Sequence, residues 1–336
     1  MSANSSEPEL IRDLVEALYV GLTGAAPNAA TLDYWRHSGR SPAAIAAAIV
    51  AALRPAGTAE NPHGAKIFAP PGHFYSPIAE PGEAAEAIAR AQAWLAAPGV
   101  PGVRLDREAM LDLWRELLPM FAAMPFPEAP SNGFRYGSRN DFYSGADGAV
   151  YSAMVRKFRP AKIIETGCGW SSACLVDTLE RTPDLACDVT FVEPYPHRLR
   201  ELLGESLSRF RLIEKRIQDV PIAEFESLAA NDILFLDSTH VLKAGSDVGY
   251  ELFEIFPRLK SGVIVHIHDI HWPFEYIPRW VLEDNRSWNE LYAYRAFLTH
   301  NNDWDILMFV HYVLKTAPEV WPANLTPGGG LWLRKR

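Results

Sequence analysis

Four short segments between positions 165 and 271 carry residue types that could act together. The first, Glu165-Thr166-Gly167-Cys168-Gly169, sets two glycines in a turn between an apolar strand and a helical segment starting near Ser171. Glycine permits the tight turn and lets backbone approach a ligand at the helix amino terminus, where unpaired N–H groups project. The second segment, DVTFVEPYP, ends its apolar run at Glu193, a position suited to the hydroxyls of a ribose. The third, NDILFLDSTHV, ends at Asp237 with His240 just beyond, and the fourth, GVIVHIHDIHWPFEYIP, holds His266, His268, Asp269 and His271. Carboxyl ends of parallel strands are where such sheets bind ligands, so these side chains are expected to open onto one crevice. A neutral imidazole there, from His268 or His271, can remove the proton of an attacking hydroxyl. Side chains alternate along a strand, so His266 and His268 share a face and Asp269 belongs to the other until the chain turns. His266 lies deeper in the apolar run and is expected to be a packing residue.

Strands that would carry these ends are expected at Lys162–Glu165, Asp188–Glu193, Phe210–Ile217, Asp232–Asp237, Gly262–His268, Asp305–Val310 and Leu331–Arg334, with helical patterns between most of them. That alternation predicts an α/β fold: a Rossmann-like, doubly wound, mostly parallel seven-stranded sheet over residues 150–336, preceded by an α-helical amino-terminal region. In that region Leu10, Leu14, Val15, Leu18 and Leu22 recur on one helical face, and Ser41 before Pro42 signals the start of an alanine-rich helix running to Leu53. Residues 1–54 are expected to form a helical accessory module. Residues 55–149 are expected to form a linker with helices and a substrate lid. Prolines and glycines crowd positions 54–82, helical patterns return at Glu83–Ala97 and Asp106–Met124, and PFPEAPSNGFRYGSRNDFYSGAD interrupts them. A lid would offer Tyr75, Arg135, Tyr136, Asn140 and Tyr143 to the substrate, while His63 and His73 are expected to be solvated. Trp272, Phe274, Tyr276, Trp280 and Trp288 are expected mainly in the core, with one or two stacking on an acceptor.

The run KIIETGCGWSSACLVDTL resembles motif I of the class I S-adenosylmethionine-dependent methyltransferases. A dinucleotide loop prefers a third glycine where Ser172 stands, and an acid such as Glu165 suits a cofactor that carries an ammonium. The resemblance implies S-adenosyl-L-methionine as cofactor, bound by Glu165, Gly167, Gly169, Ser171, Ser172, Glu193, Gln218, Asp219 and Asp237, with Gln218 and Asp219 near the adenine. Over residues 150–315, the D-x-x-H element Asp237–His240 and the H-D element His268-Asp269 resemble a subfamily containing many small-molecule and sugar O-methyltransferases; Asp247 fills the acidic position that follows. Catalysis is then expected from Asp237, His268, Asp269 and His271. Related enzymes hold magnesium or another divalent ion with carboxylates at these strand ends, which makes Asp237, His268 and Asp269 metal-ligand candidates. The histidines depart from an all-carboxylate set and leave a softer metal, or none, open.

The activity expected is O-methylation of a sugar, glycan or other small-molecule hydroxyl, by metal assistance or by a histidine base. A nucleotide-dependent Rossmann oxidoreductase is disfavoured by the absent third glycine and the lack of a catalytic Tyr-x-x-x-Lys. A non-catalytic cofactor-binding scaffold is disfavoured by acids at or just after four strand ends. The stretch LVEALYVGLTGAAPNAATLDYWRHSG is similar to a helical accessory module of bacterial proteins, which implies docking to a protein partner or self-association. The net charge of −9 argues against nucleic acid as a partner. Cys168, Cys174 and Cys187 lack paired spacing, so neither a disulfide framework nor structural zinc is signalled, which fits a reducing cytoplasm. The amino terminus lacks a basic region followed by an apolar stretch, and no long apolar run occurs, so neither secretion nor a membrane span is expected.

Overall fold

The computed structural model describes residues 7–23, 26–27, 29–36, 41–53 and 68–336. His63 and the domain edge expected near residue 54 lie outside the described residues. The chain divides into two compact units, Met1–Pro81 and Gly82–Arg336.

In the first unit, α1 (Glu7–Thr23), α2 (Ala29–Arg36) and α3 (Pro42–Leu53) bury Ile11, Val15, Trp35, Ile45 and Ile49 against one another. The start of α3 is capped as its sequence implies, with Ser41 Oγ accepting from the Ala44 N–H at 3.3 Å. Tyr75, in the irregular segment that follows, is exposed.

The second unit opens with α4 (Pro81–Gln92) and α5 (Arg107–Ala123). The pattern continuing to Ala97 is cut short at Gln92, where the chain tightens into turns ahead of Pro98. On α5, Met110, Leu111, Trp114 and Leu117 form the buried face, and Asp106 caps the helix by accepting from the Ala109 N–H at 3.0 Å. After α6 (Ala146–Phe158) the sheet begins: β1 (Lys162–Thr166), α7 (Trp170–Glu180), β2 (Asp188–Val192), α8 (His197–Leu203), β3 (Arg211–Ile213), α9 (Ile222–Glu226) and β4 (Ile233–Leu236). There follow α10 (Asp247–Tyr250), β5 (Ile264–Ile267), α11 (Pro278–Leu282), α12 (Glu290–Leu298), β6 (Trp304–Phe309), α13 (Val310–Thr316) and β7 (Leu331–Lys335).

The seven strands lie in the order β3-β2-β1-β4-β5-β7-β6, and β7 runs antiparallel to both of its neighbours. This is the doubly wound, mostly parallel sheet that the alternating pattern implies. Every residue of β4 and β5 is buried, as a parallel sheet covered on both faces requires. The third strand is shorter than the apolar pattern suggests. It pairs only over Arg211–Ile213, because the charged Glu214-Lys215-Arg216 follows at the sheet edge and Ile217–Asp219 curls into a 3-10 turn.

Register positions the site. Thr166 pairs with Val192 and with Leu236, and Leu236 pairs with Ile267. The residues leaving these strands, Gly167, Glu193, Asp237 and His268, therefore emerge side by side along one edge. Among the described residues no helix is long and apolar enough to cross a membrane.

Candidate active site

The glycine turn is held against the neighbouring strand end. Gly167 has φ 73°, and a Cβ there would lie 1.5 Å from the carbonyl oxygen of Asp237, a separation no side chain tolerates. Gly169 is extended, and a Cβ would come 3.2 Å from Cδ of Arg198. Beneath the turn Glu165 is fully buried and accepts from Tyr151 Oη at 3.0 Å, Ser171 Oγ at 2.8 Å and Ser172 Oγ at 2.5 Å. Burial pushes its carboxyl up to about 7 against the opposing pull of those hydroxyls. Glu165, Ser171 and Ser172 thus brace one another under the turn, and the Gly167 backbone is the accessible part of this loop.

Glu193 accepts from the backbone N–H groups of Cys168 at 3.0 Å and Tyr195 at 2.8 Å, which ties the end of β2 to the glycine turn. Burial raises its pKa. Gln218 Nε2 donates to the Gly245 carbonyl at 3.0 Å, and exposed Asp219 pairs with Arg216 at 2.8 Å. Asp247 accepts from the Thr239 N–H at 3.0 Å and hydroxyl at 2.6 Å, bracing the loop after β4.

Beyond β4 and β5 lies a cluster of imidazoles and carboxylates. His268 Nδ1 is 3.3 Å from Asp237 Oδ1, and its Nε2 is 3.5 Å from Asp147 Oδ2 and 3.6 Å from Asp269 Oδ1. His240 Nε2 lies 3.5 Å from Asp237 Oδ1 and 3.7 Å from Asp269 Oδ2, while its Nδ1 is 2.7 Å from Glu290 Oε2. Strand alternation alone would put Asp269 on the face opposite His268. The left-handed backbone at Asp269, φ 57°, marks the turn that carries its carboxylate back to the same cluster. Burial opposes protonation of both histidines, but the carboxylates prevail. The charges of Asp269 and Asp237 raise His268, and the hydrogen bond to Glu290 leads those that push His240 up to about 9. Asp237 is correspondingly held low, despite burial, by the His268 charge.

His271 is buried next to this group, with Nδ1 3.2 Å from the Asp269 carbonyl oxygen, and burial keeps its ring neutral. His266 packs on Trp332 and Phe235, with ring centroids 4.3 and 4.5 Å away, the packing role its depth in the strand implies. Asp147 and Glu290 are the members that sequence reasoning missed. Asp147 stands in the first turn of α6, where Oδ1 accepts from the Gly329 N–H at 2.9 Å and leaves Oδ2 toward His268. Its signal was faint: an acid following a turn-rich run, just before the strand pattern begins.

The donor set does not fit a divalent ion held jointly by Asp237, His268 and Asp269. Those three would have to converge on one point, whereas the two nitrogens of His268 face different carboxylates. His240 Nε2 also stands between Asp237 and Asp269, where a bridging cation would sit. Among the described residues no group of three or more His, Cys, Asp or Glu side chains is arranged to hold a metal.

The segment ahead of α6 is bound to its own unit. Arg135 pairs with Asp177 at 2.9 Å and with Glu180 at 2.7 Å, Tyr136 Oη donates to the Tyr143 carbonyl at 2.7 Å, and Asn140 Oδ1 accepts from the Tyr143 N–H at 2.7 Å. Both tyrosines are buried. Beside Ser144 and Gly145 a cavity of about 630 Å³ opens, lined also by Phe121, Phe126, Leu325 and Thr326. Of the aromatics after β5, Trp272 is buried, and Trp288 stacks between the His240 ring, 4.2 Å between centroids, and the Arg286 guanidinium at 4.7 Å.

A glycine turn after β1, acids leaving β2 and β4, and an imidazole–carboxylate cluster at the ends of β4 and β5 thus lie along one edge of the sheet. Residues 164–270 match the family model of the Methyltransferase domain. An uncharacterized protein of Archaeoglobus fulgidus is 30% identical over 173 residues, which covers 50% of this chain and 76% of that protein. Among solved structures, the chain is similar to the SAH-bound Podospora anserina methyltransferase PaMTH1, at 16% identity and a TM-score of 0.38, over 75% of this chain and 96% of that one. It is also similar to the O-methyltransferase TomG from Streptomyces achromogenes, at 13% identity and a TM-score of 0.36, over 74% and 95% of the two chains. The chain carries an S-adenosylmethionine-dependent methyltransferase domain over residues 164–270.

Proposed function

We propose that the protein methylates a hydroxyl oxygen of a sugar-containing or other small molecule, with the imidazole–carboxylate cluster handling the hydroxyl proton. The observation that carries this reading is that His240 and His268 each lie within 3.3–3.7 Å of both Asp237 and Asp269 beside the Gly167 turn. S-adenosylmethionine supplies an electrophilic methyl group on a sulfonium. The residues that would hold it are Gly167 and Gly169 through their backbone, Glu193 through its carboxylate toward the ribose, and Gln218 and Asp219 toward the adenine, with Asp237 at the reacting end. Glu165, Ser171 and Ser172 serve by stiffening the turn from below.

Asp237 and Asp269 are the partly open members of the cluster, with side chains 23% and 16% exposed, and they orient the acceptor hydroxyl. Both histidines favour the charged form before loading. The cofactor's added positive charge lowers the proton affinity of the imidazoles, so loading shifts His240 or His268 toward its neutral, basic form with release of a proton to solvent. The hydroxyl proton then passes to the imidazole nitrogen as the oxygen lone pair forms the new bond to carbon and the carbon–sulfur bond breaks. His271, neutral and adjacent, buttresses Asp269. The helices of the first unit serve docking to a partner or a second copy.

The test is a mass-spectrometric assay of the full chain with S-adenosylmethionine and a panel of hexosides, 6-deoxyhexosides and catechols, with and without chelator. Methyl transfer that survives chelator is expected. Loss of turnover with chelator and recovery on adding a divalent ion would overturn the histidine account, and no transfer to any oxygen acceptor would overturn the substrate class.

A further inference from the structure

His240 is held in place by a tripeptide about fifty residues away in sequence. The backbone N–H groups of Asn289 and Glu290 both donate to the His240 carbonyl at 3.1 Å. Two residues on, the Asn289 side chain accepts from the Leu242 N–H at 2.6 Å and donates to the Leu242 carbonyl at 3.2 Å. Trp288 covers one face of the imidazole at 4.2 Å between centroids, tilted 36°. Glu290 takes Nδ1 at 2.7 Å. The anchored backbone has φ 61°, a conformation histidine seldom adopts and one that persists only when the surroundings over-determine it.

An imidazole has two usable nitrogens, and rotation about its side-chain bonds can exchange which of them faces a reaction. Here the carbonyl, one ring face and one ring nitrogen are fixed from the same short segment at the start of α12. The remaining nitrogen, Nε2, faces Asp237 and Asp269.

We infer that Glu290, carried by the Trp288-Asn289-Glu290 segment, is the positioning residue for His240, fixing the ring so that Nε2 and not Nδ1 meets the acceptor. This rests on the proposed role of His240 in taking the hydroxyl proton. Glu290 is buried on the Nδ1 side of the ring, away from the Nε2 face. Its carboxylate holds the Nδ1 proton in a charge-assisted hydrogen bond, and oriented partners of this kind typically matter about 10–100-fold in the sites where they have been removed.

The experiment uses the full-length chain labelled with ¹⁵N-histidine, with the His240 resonances assigned by their disappearance in His240→Gln. In wild type the His240 Nδ1 proton should be observed and exchange slowly. Glu290→Met, which keeps the volume and removes the acceptor, should lose it, while Glu251→Gln, in the neighbouring buried carboxyl, should keep it. Glu290→Gln supplies a neutral acceptor and should retain the proton with exchange at least about tenfold faster; this variant decides the matter if Glu290→Met does not fold. On any hexoside or catechol that wild type methylates, Glu290→Met should lower kcat about 30-fold or more, with SAH affinity and acceptor KM within about threefold, and Glu290→Gln should recover part of the loss. A Nδ1 proton unchanged in both Glu290 variants, or a parallel loss of SAH affinity and kcat, overturns the positioning role. A wild type that methylates none of these probes counts against the proposed function, and the exchange measurement then judges the Glu290–His240 contact by itself.

Discussion

Raising the pH from 6 to 10 should remove about 3 kcal/mol of stability through His240. Its ordinary value is 6.5 and its folded value is pushed up to about 9, with the hydrogen bond to Glu290 the leading stabilising cause. A group raised on folding contributes fully below its unfolded value and loses that contribution as pH climbs through the folded one. The difference corresponds to about 3 kcal/mol at most, of which less than half survives at pH 8 and almost none at pH 10. His240 is 7% exposed, so solvent does little to screen the interaction. His268 is raised by the same carboxylates and acts in the same direction. Urea unfolding at pH 6, 8 and 10, with chelator present, should be compared between wild type and His240→Gln/Glu290→Gln, whose amides can still hydrogen-bond but do not titrate. Wild type should lose about 3 kcal/mol more than the double variant across the range, with unchanged denaturant slopes. Parallel curves would refute the charge assignment, because the buried imidazolium would then be contributing nothing.

Gly167→Ala should displace the turn or the end of β4, since its Cβ would fall 1.5 Å from the Asp237 carbonyl, and SAH affinity by calorimetry should drop at least about tenfold. Glu193→Ala, which also releases the Cys168 and Tyr195 N–H groups, should weaken SAH binding by about 2–4 kcal/mol; an unchanged isotherm removes Glu193 from the cofactor site. Asp269→Asn should reduce turnover about 10²-fold while SAH affinity stays within a few fold, read from initial rates beside calorimetry. A chain lacking residues 1–54 should retain SAH affinity; aggregation or loss of binding would show that the first helices do more than dock.

The strands were legible because a parallel sheet covered on both faces needs contiguous apolar runs, and six of the seven observed strands lie within two residues of those runs at either end. The exception, β3, sits at the edge, where a charged run ends pairing without interrupting the apolar pattern as a whole. That Asp237, His268 and Asp269 would lie together was legible for a related reason. Strand ends declare themselves in sequence, and parallel register brings successive ends together. What sequence could not supply was partnership. Glu165, expected to serve a cofactor ammonium, also accepts from three hydroxyls. Its neighbours Ser171 and Ser172 were in plain view, but the third hydroxyl comes from Tyr151 on the preceding helix. Asp147 and Glu290 reach the cluster from the starts of α6 and α12, and nothing in their local pattern separates them from ordinary first-turn acids that favour a helix amino terminus.

That missing partnership changes the chemistry inferred. Read as strand ends, Asp237, His268 and Asp269 form a short list of ligands for a cation. With Asp147 and Glu290 added, the same site surrounds two imidazoles with four carboxylates that raise or accompany them, and those imidazoles occupy the space between the acids. A cation entering there would have to displace the His240 ring, whose Nδ1 is held by Glu290, from between two partly open carboxylates, which costs more than filling an open acidic site. Raised histidines thus offset the charge of the surrounding acids, and the proposed proton transfer rests on that balance.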